Sequence, residues 1–341
     1  MPGWLSTRGR VLELHCFYAN RPRRISGRAQ GTTRGGARDQ VLHRTIENLH
    51  AYGKYPAQDR HKMIIDTHTH LFPETFAQDR SGFFHNEPEF TLLYKNPKAQ
   101  MATCDQLVDA MDRHGVDIAC VSGFPWRNPE HARANNDYII GCVNKFPDRI
   151  RGLACFDLEW SGAAKEAARC IDAGLSGVGE LAFYLSGIDK RALDLLKDVM
   201  AVLREKGDLP CMIHTNEPVG HVYPGKTPVT LEQIQLLAQT FADNRIILAH
   251  WGGGIFFYHA MKKQLKQTLK NIWYDTAASP FLYDPVIYAM AAQAGVLEKI
   301  LLGTDFPLLS PDRYYKDIAA SGLDEDQQQM ILGGNAAIFY G

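Results

Sequence analysis

Ile64-Ile65-Asp66-Thr67-His68-Thr69-His70 starts with two β-branched residues and ends in two histidines two positions apart. β-branched residues favour a strand, and on a strand residues i and i+2 point to the same side. His68 and His70 therefore project together. Two neutral imidazoles on one face supply half of a divalent metal site. A His-x-His pair alone is a weak signal, because paired histidines are also ordinary buried or surface residues. Its weight depends on what ends the other strands.

Seven further β-rich runs follow at regular intervals: Asp117–Ser122, Ile150–Phe156, Ser176–Leu181, Leu209–His214, Arg245–His250, Asn271–Thr276 and Lys299–Thr304. Amphipathic segments separate them. Before the fifth run, Leu193, Leu196, Met200 and Leu203 form one helical stripe. Thr103 with Gln106, and Thr230 with Gln233, have the spacing of capping boxes that open helices. Eight strand–helix units predict a closed (β/α)8 TIM barrel within the α/β class. The alternative, a doubly wound open sheet, is weakened because no GxGxxG or P-loop follows any strand.

The 341 residues suit one barrel with additions, and 45% hydrophobic residues are enough to build its core. The net charge of −1 argues against nucleic acid as a partner, and no apolar run approaches a membrane span. Seven cysteines without CxxC spacing argue for a reducing, cytoplasmic setting. The charge is uneven. Residues 1–62 carry 12 Lys/Arg against 4 Asp/Glu, and the other 279 carry 25 against 34. The basic stretch reads as a disordered extension, or as sequence upstream of a true start at Met63, with an organelle-targeting segment as the alternative. Residues 63–341 are the expected catalytic domain.

The strand ends hold the chemistry. Besides His68 and His70, the fifth strand ends in His214 and the sixth in His250, and Asp305 follows the eighth. Histidine and carboxylate at several strand ends are the donors a divalent metal takes. Glu180 ends the fourth strand with an inward parity. Between His70 and Thr103 lie 32 residues, far beyond the usual βα loop, carrying Phe72, Phe83, Phe84, His85, Phe90 and Tyr94. They read equally as a substrate wall or as a structural flap. After the fifth strand, His221, Tyr223 and Lys226 are candidates for binding a polar substrate group. Trp251, ahead of Gly252-Gly253-Gly254, is a further candidate, with packing in the wall as its other reading. Asp275 at the seventh strand end reads either as orienting a substrate or ligand, or as capping a helix or pairing with an arginine.

The stretches IIDTHTHLFP (64–73), CMIHTNEP (211–218), IILAHWGGG (246–254), NIWYDTAAS (271–279), ILLGTDFPL (300–308) and GGNAAIFYG (333–341) resemble the amidohydrolase superfamily. The similarity is to the amidohydrolase-related branch that contains aminocarboxymuconate-semialdehyde decarboxylase and the resorcylate decarboxylases. It covers roughly residues 63–341. It implies His68, His70, His214 and Asp305 as metal ligands, with His250 as the base beside them and Asp305 as a proton shuttle. Glu180 departs from the single-metal decarboxylases. In other branches an acid at this place bridges two ions, so one Zn2+ is expected, with two as the alternative. Glu180 tilts the expected reaction to a metal-dependent hydrolase acting on an amide, lactone or related bond of a small molecule. The alternative is a non-oxidative decarboxylase of an unsaturated or aromatic carboxylic acid. A homodimer is the expected assembly if the chain self-associates.

Overall fold

The computed structural model describes residues 63–261 and 264–340. The basic stretch 1–62 lies outside the described residues. Eight strands run in chain order: β1 (Ile65–His70), β2 (Ile118–Ser122), β3 (Ile150–Gly152), β4 (Val178–Leu181), β5 (Cys211–Ile213), β6 (Ile246–Leu248), β7 (Ile272–Asp275) and β8 (Ile300–Leu301). Every pairing is parallel, β1-β2-β3 in one set and β4 to β8 in the other. Two parallel bridges join the sets, Ala154 with Val178 and Thr69 with Phe306. At the second seam the Thr67 amide donates to the Leu302 carbonyl at 2.7 Å, and Asp66 accepts from the amide and hydroxyl of Thr304. The sheet thus closes into the expected (β/α)8 barrel.

Strand parity divides the core in two. Ala119, Val121, Cys211, Ile213, Ile246 and Leu248 pack outward against helix residues such as Leu107, Ile139, Leu196 and Ile234. Ile118, Cys120, Met212, Ile247 and Leu301 form a second cluster, which includes Phe339 and Tyr340 of the terminal helix Asn335–Tyr340. That helix closes the end of the barrel where the strands begin. The stripe Leu193, Leu196, Met200 and Leu203 is buried on helix Lys190–Glu205, and both expected capping boxes form. The six described cysteines are buried and free. No helix of the described residues is long and apolar enough to cross a membrane.

The long connection after β1 is folded; it covers apolar surface and also lines a cavity. Short helices Glu74–Gln78 and Pro88–Tyr94 lay Phe76 and Phe90 against Trp126, with Phe90 also on Phe124 and Phe72 packed on Phe90. Buried Glu87 staples the segment down by accepting from the amides of Arg127 and Asn128 at 3.0 and 2.8 Å. Leu93, Tyr94, Ala99 and Gln100 then form one side of a cavity over the strand ends.

Gly333 is the tightest point of the closing turn. A Cβ there would lie 1.9 Å from the backbone carbonyl oxygen of Met63, which no side-chain shift relieves. Gly333→Ala is expected to cost about 3 kcal/mol, the upper range for an overpacked core. Denaturant unfolding of this variant beside Gly334→Ala, whose nearest contact would be 3.4 Å, measures the difference.

Candidate metal centre

The carboxyl ends of the strands bring six side chains into one cluster around Glu180: His68 and His70 from β1, Glu180 from β4, His214 after β5, His250 after β6 and Asp305 after β8. Each ring is oriented by an acceptor outside the cluster. His68 Nδ1 donates to Asp275 Oδ2 at 2.8 Å, His70 Nδ1 to the Gly123 carbonyl at 3.2 Å, and His250 Nδ1 to the Ala277 carbonyl at 3.0 Å. His214 is turned the other way, its Nε2 donating to the Gly225 carbonyl at 3.0 Å. One nitrogen of each ring is therefore left facing inward, which is how outer partners orient metal-binding histidines.

The inward atoms crowd together. His68 Nε2 and His70 Nε2 are 3.1 Å apart, and Asp305 Oδ1 lies 3.7 and 3.3 Å from them. Glu180 Oε2 is 3.7 Å from both ring nitrogens. Tetrahedral donors about 2.1 Å from a zinc-sized ion sit about 3.4 Å from one another. Two bare imidazole lone pairs at 3.1 Å repel unless a proton or cation lies between them. The donor set therefore fits a divalent ion. The other oxygen of Glu180 meets His214 Nδ1 at 3.0 Å and His250 Nε2 at 3.5 Å. Glu180 thus stands between the β1 histidines and His214, where the resemblance implied direct grouping of His214 with the β1 pair.

The electrostatics follow from this crowding. Burial would raise the Glu180 carboxyl, but the His214 and His68 rings hold it well below the usual carboxylate range. Burial opposes charge on His68, yet Asp275 and Glu180 hold its pKa well above the ordinary value. Burial also opposes charge on His250, while the hydrogen bond to Glu180 and the nearby Asp305 lift it to about 9. Asp305, which burial would raise, is held low by the His70 hydrogen bond and by His68 and His250.

Two of these residues sit on left-handed backbone, His250 at φ 54° and Asp305 at φ 60°. Such conformations persist in non-glycine residues only where neighbours impose them. The His250 amide donates to Asp275 Oδ1 at 2.9 Å, and the Asp305 amide to the His68 carbonyl at 2.9 Å. Asp275 is therefore an orienting residue, holding His68 with one oxygen and the His250 backbone with the other.

A cavity of about 630 Å³ opens over the cluster. Its walls include Tyr94, Phe124, Tyr184, Tyr223, Phe281 and Leu308. Of the four substrate candidates, His221 and Tyr223 line it. Lys226 does not: its Nζ is tied to Glu217 Oε1 at 3.0 Å and to the carbonyls of Val219 and His221, so it braces the loop. Trp251 is fully buried, packed on Phe256 and Tyr288 with Nε1 donating to Ser279 Oγ at 3.0 Å. The left-handed run from His250 to Gly254 turns its ring away from the cavity and into the wall. Tyr184 was not singled out from the sequence. Its position just past the end of β4, on the face where barrel active sites lie, was the available signal.

The profile of the amidohydrolase family matches residues 65–341. The chain belongs to the amidohydrolase family. It is 23% identical over 316 residues to gamma-resorcylate decarboxylase of Polaromonas sp., covering 78% of this chain and 95% of that protein. Its fold is similar to 5-carboxyvanillate decarboxylase from Sphingomonas paucimobilis (TM-score 0.62, 17% identity, 82% of this chain and 98% of that one). It is also similar to a dihydroxybenzoic acid decarboxylase from Polaromonas sp. with bound manganese and 2-nitroresorcinol (TM-score 0.57, 19% identity, 82% and 96%). These relatives correct the expected hydrolase. They are named as decarboxylases, so the decarboxylase alternative is better supported than the hydrolase.

Asp275→Asn keeps the shape but weakens the acceptor that orients His68. Divalent-ion affinity is expected to fall about 10- to 100-fold, measured by competition with a chromogenic chelator. In the wild type, the proton that His250 carries below about pH 9 opposes an incoming cation. Ion affinity should therefore rise with pH through neutrality and level off above about 9.

Proposed function

We propose that this protein is a divalent-metal-dependent, non-oxidative decarboxylase of an aromatic carboxylic acid. The observation that carries the reading is a cluster of inward-facing donors beneath a largely apolar, aromatic-walled cavity of about 630 Å³. Such a cavity receives a flat ring with its carboxylate pointed at the donors. The relatives named for decarboxylation support the same reaction class. The catalytic unit is residues 63–341.

His68, His70 and Asp305 would hold the ion, with Glu180 against them and His214 on its far oxygen. Imidazole and carboxylate donors suit Zn2+ and Mn2+ alike, and one ion per chain is the expected content. A bound divalent ion supplies an anchor for the anionic substrate groups and withdraws charge from them. The remaining work falls to the chain. The cavity walls orient the ring and exclude water. His250 holds a proton at Nε2, with Glu180 and Asp305 favouring the charged ring. That proton passes to the ring carbon bearing the carboxylate. The electrons of the carbon–carboxylate bond then return to the ring, and carbon dioxide leaves. Solvent restores the proton on His250.

Assays with 2,6-dihydroxybenzoate in D2O should release carbon dioxide and leave one deuterium at the vacated ring position. Uptake of 18O from labelled water into an organic product, without gas release, would reject this reaction. His250→Asn is expected to lower kcat on the order of 10²–10⁴-fold while metal content stays at the wild-type level. His68→Ala/His70→Ala should lose both metal and turnover. Wild-type metal content in that double variant, by elemental analysis, would displace the ligand assignment.

A further inference from the structure

Two phenol hydroxyls stand unused beside the metal centre. Tyr94 comes from the long connection after β1, and Tyr184 from the loop after β4. Both line the cavity, and neither hydroxyl has a hydrogen-bond partner among the described residues. Their rings are held firmly. Tyr184 stacks on Phe124 with centroids 6.3 Å apart, and its ring is 5.4 Å from that of His214. Tyr94 packs on Phe72 and Phe90 at 5.3 and 4.8 Å. An ordinary phenol is protonated at neutral pH and needs an acceptor when it is desolvated.

The charge of the walls is equally selective. No lysine or arginine is among the described residues that line the cavity. Arg80, whose charge reaches Tyr94, is not among the lining residues, and its Nη1 donates to the carbonyls of Asn96 and Ala99 at 3.3 and 2.9 Å. Lys226 is occupied by the loop that carries it. Beyond the central cluster and the two free phenols, the walls offer mainly Leu93, Phe124, Phe281, Leu282 and Leu308, with Gln100, with Tyr223, whose hydroxyl is held by Glu217, and with His221 at the exposed rim. One carboxylate is accommodated at the cluster. A second one on the same ring would face largely apolar walls that hold no lysine or arginine, and an unpaired buried charge is costly.

We propose that the cavity selects aryl monocarboxylates bearing a ring oxygen substituent, with Tyr94 and Tyr184 donating to the substrate oxygens, and that it rejects aryl dicarboxylates. This specificity rests on the decarboxylase reading for its chemistry, but it concerns binding and is testable without turnover. It also separates this chain from a decarboxylase of 5-carboxyvanillate, a substrate with two carboxylates.

The experiment is calorimetric binding to the metal-loaded full chain, with 2,6-dihydroxybenzoate, benzoate and 5-carboxyvanillate as probes, on wild type, Tyr94→Phe and Tyr184→Phe. Loss of one direct hydrogen bond corresponds to about three- to tenfold in Kd. Each Tyr→Phe change should weaken 2,6-dihydroxybenzoate by that factor and leave benzoate nearly unchanged, because the lost partner is the ring hydroxyl. 5-Carboxyvanillate should bind at least tenfold more weakly than 2,6-dihydroxybenzoate. Equal losses for the two monocarboxylates would assign the tyrosines to general packing and overturn their role in reading the substrate. Binding of 5-carboxyvanillate as tight as the monocarboxylate, whether or not His221→Gln removes it, would overturn the rejection of a second charge. Absence of binding by all three probes would overturn the whole inference. If the binding pattern holds but no bound probe releases carbon dioxide, the specificity stands and the decarboxylase reading fails.

Discussion

Asp275 carries the geometry of the centre. One oxygen of this fully buried carboxylate accepts from His68 Nδ1 at 2.8 Å, and the other accepts from the His250 backbone amide at 2.9 Å. The first contact sets the tautomer and rotation of His68, so that Nε2 faces His70 at 3.1 Å. The second holds the left-handed turn that carries His250 into the cavity and Trp251 out of it. A single carboxylate at the end of β7 therefore couples strands β1 and β6 across the barrel mouth. It lies outside the ring of donors, yet their convergence depends on it.

The crowding of like and unlike charge around Glu180 is the second consequence of that convergence. Four imidazoles meet two carboxylates within hydrogen-bond or near-contact distance. In such a setting, protons and metal ions compete for the same lone pairs. The centre is held open by the fold, since strand ends supply the side chains and backbone carbonyls orient them. The strained backbone at His250 and Asp305 is compensated by the hydrogen bonds of their own amides.

The connection after β1 joins stability and selectivity. Its phenylalanines build an aromatic layer with Phe124 and Trp126, and the same short helix that buries Phe90 presents Tyr94 to the cavity. The layer fixes the position of a polar group that itself has no partner. On the opposite side, Lys226 and Glu217 neutralise each other within the loop after β5. Both charges thereby stay out of the cavity lining, to which the loop contributes His221 and Tyr223.

Much of this was legible in the sequence because strand geometry is local. β-rich runs at regular intervals and capping boxes locate the eight strands and helices between them, and parity alone brings His68 and His70 to one face. Histidine or carboxylate at the ends of strands then indicates a metal site at the barrel mouth. Where a side chain points after a strand has ended is a different matter. Trp251 follows His250 directly, yet a run of left-handed residues sends the two rings to opposite sides. Lys226 is a cation by sequence and a loop brace by structure. The placement of Glu180 between the β1 histidines and His214, and of Tyr94 beside Tyr184, depends on contacts between segments far apart in the chain. Such approaches are decided by packing and barrel closure, and no local pattern encodes them.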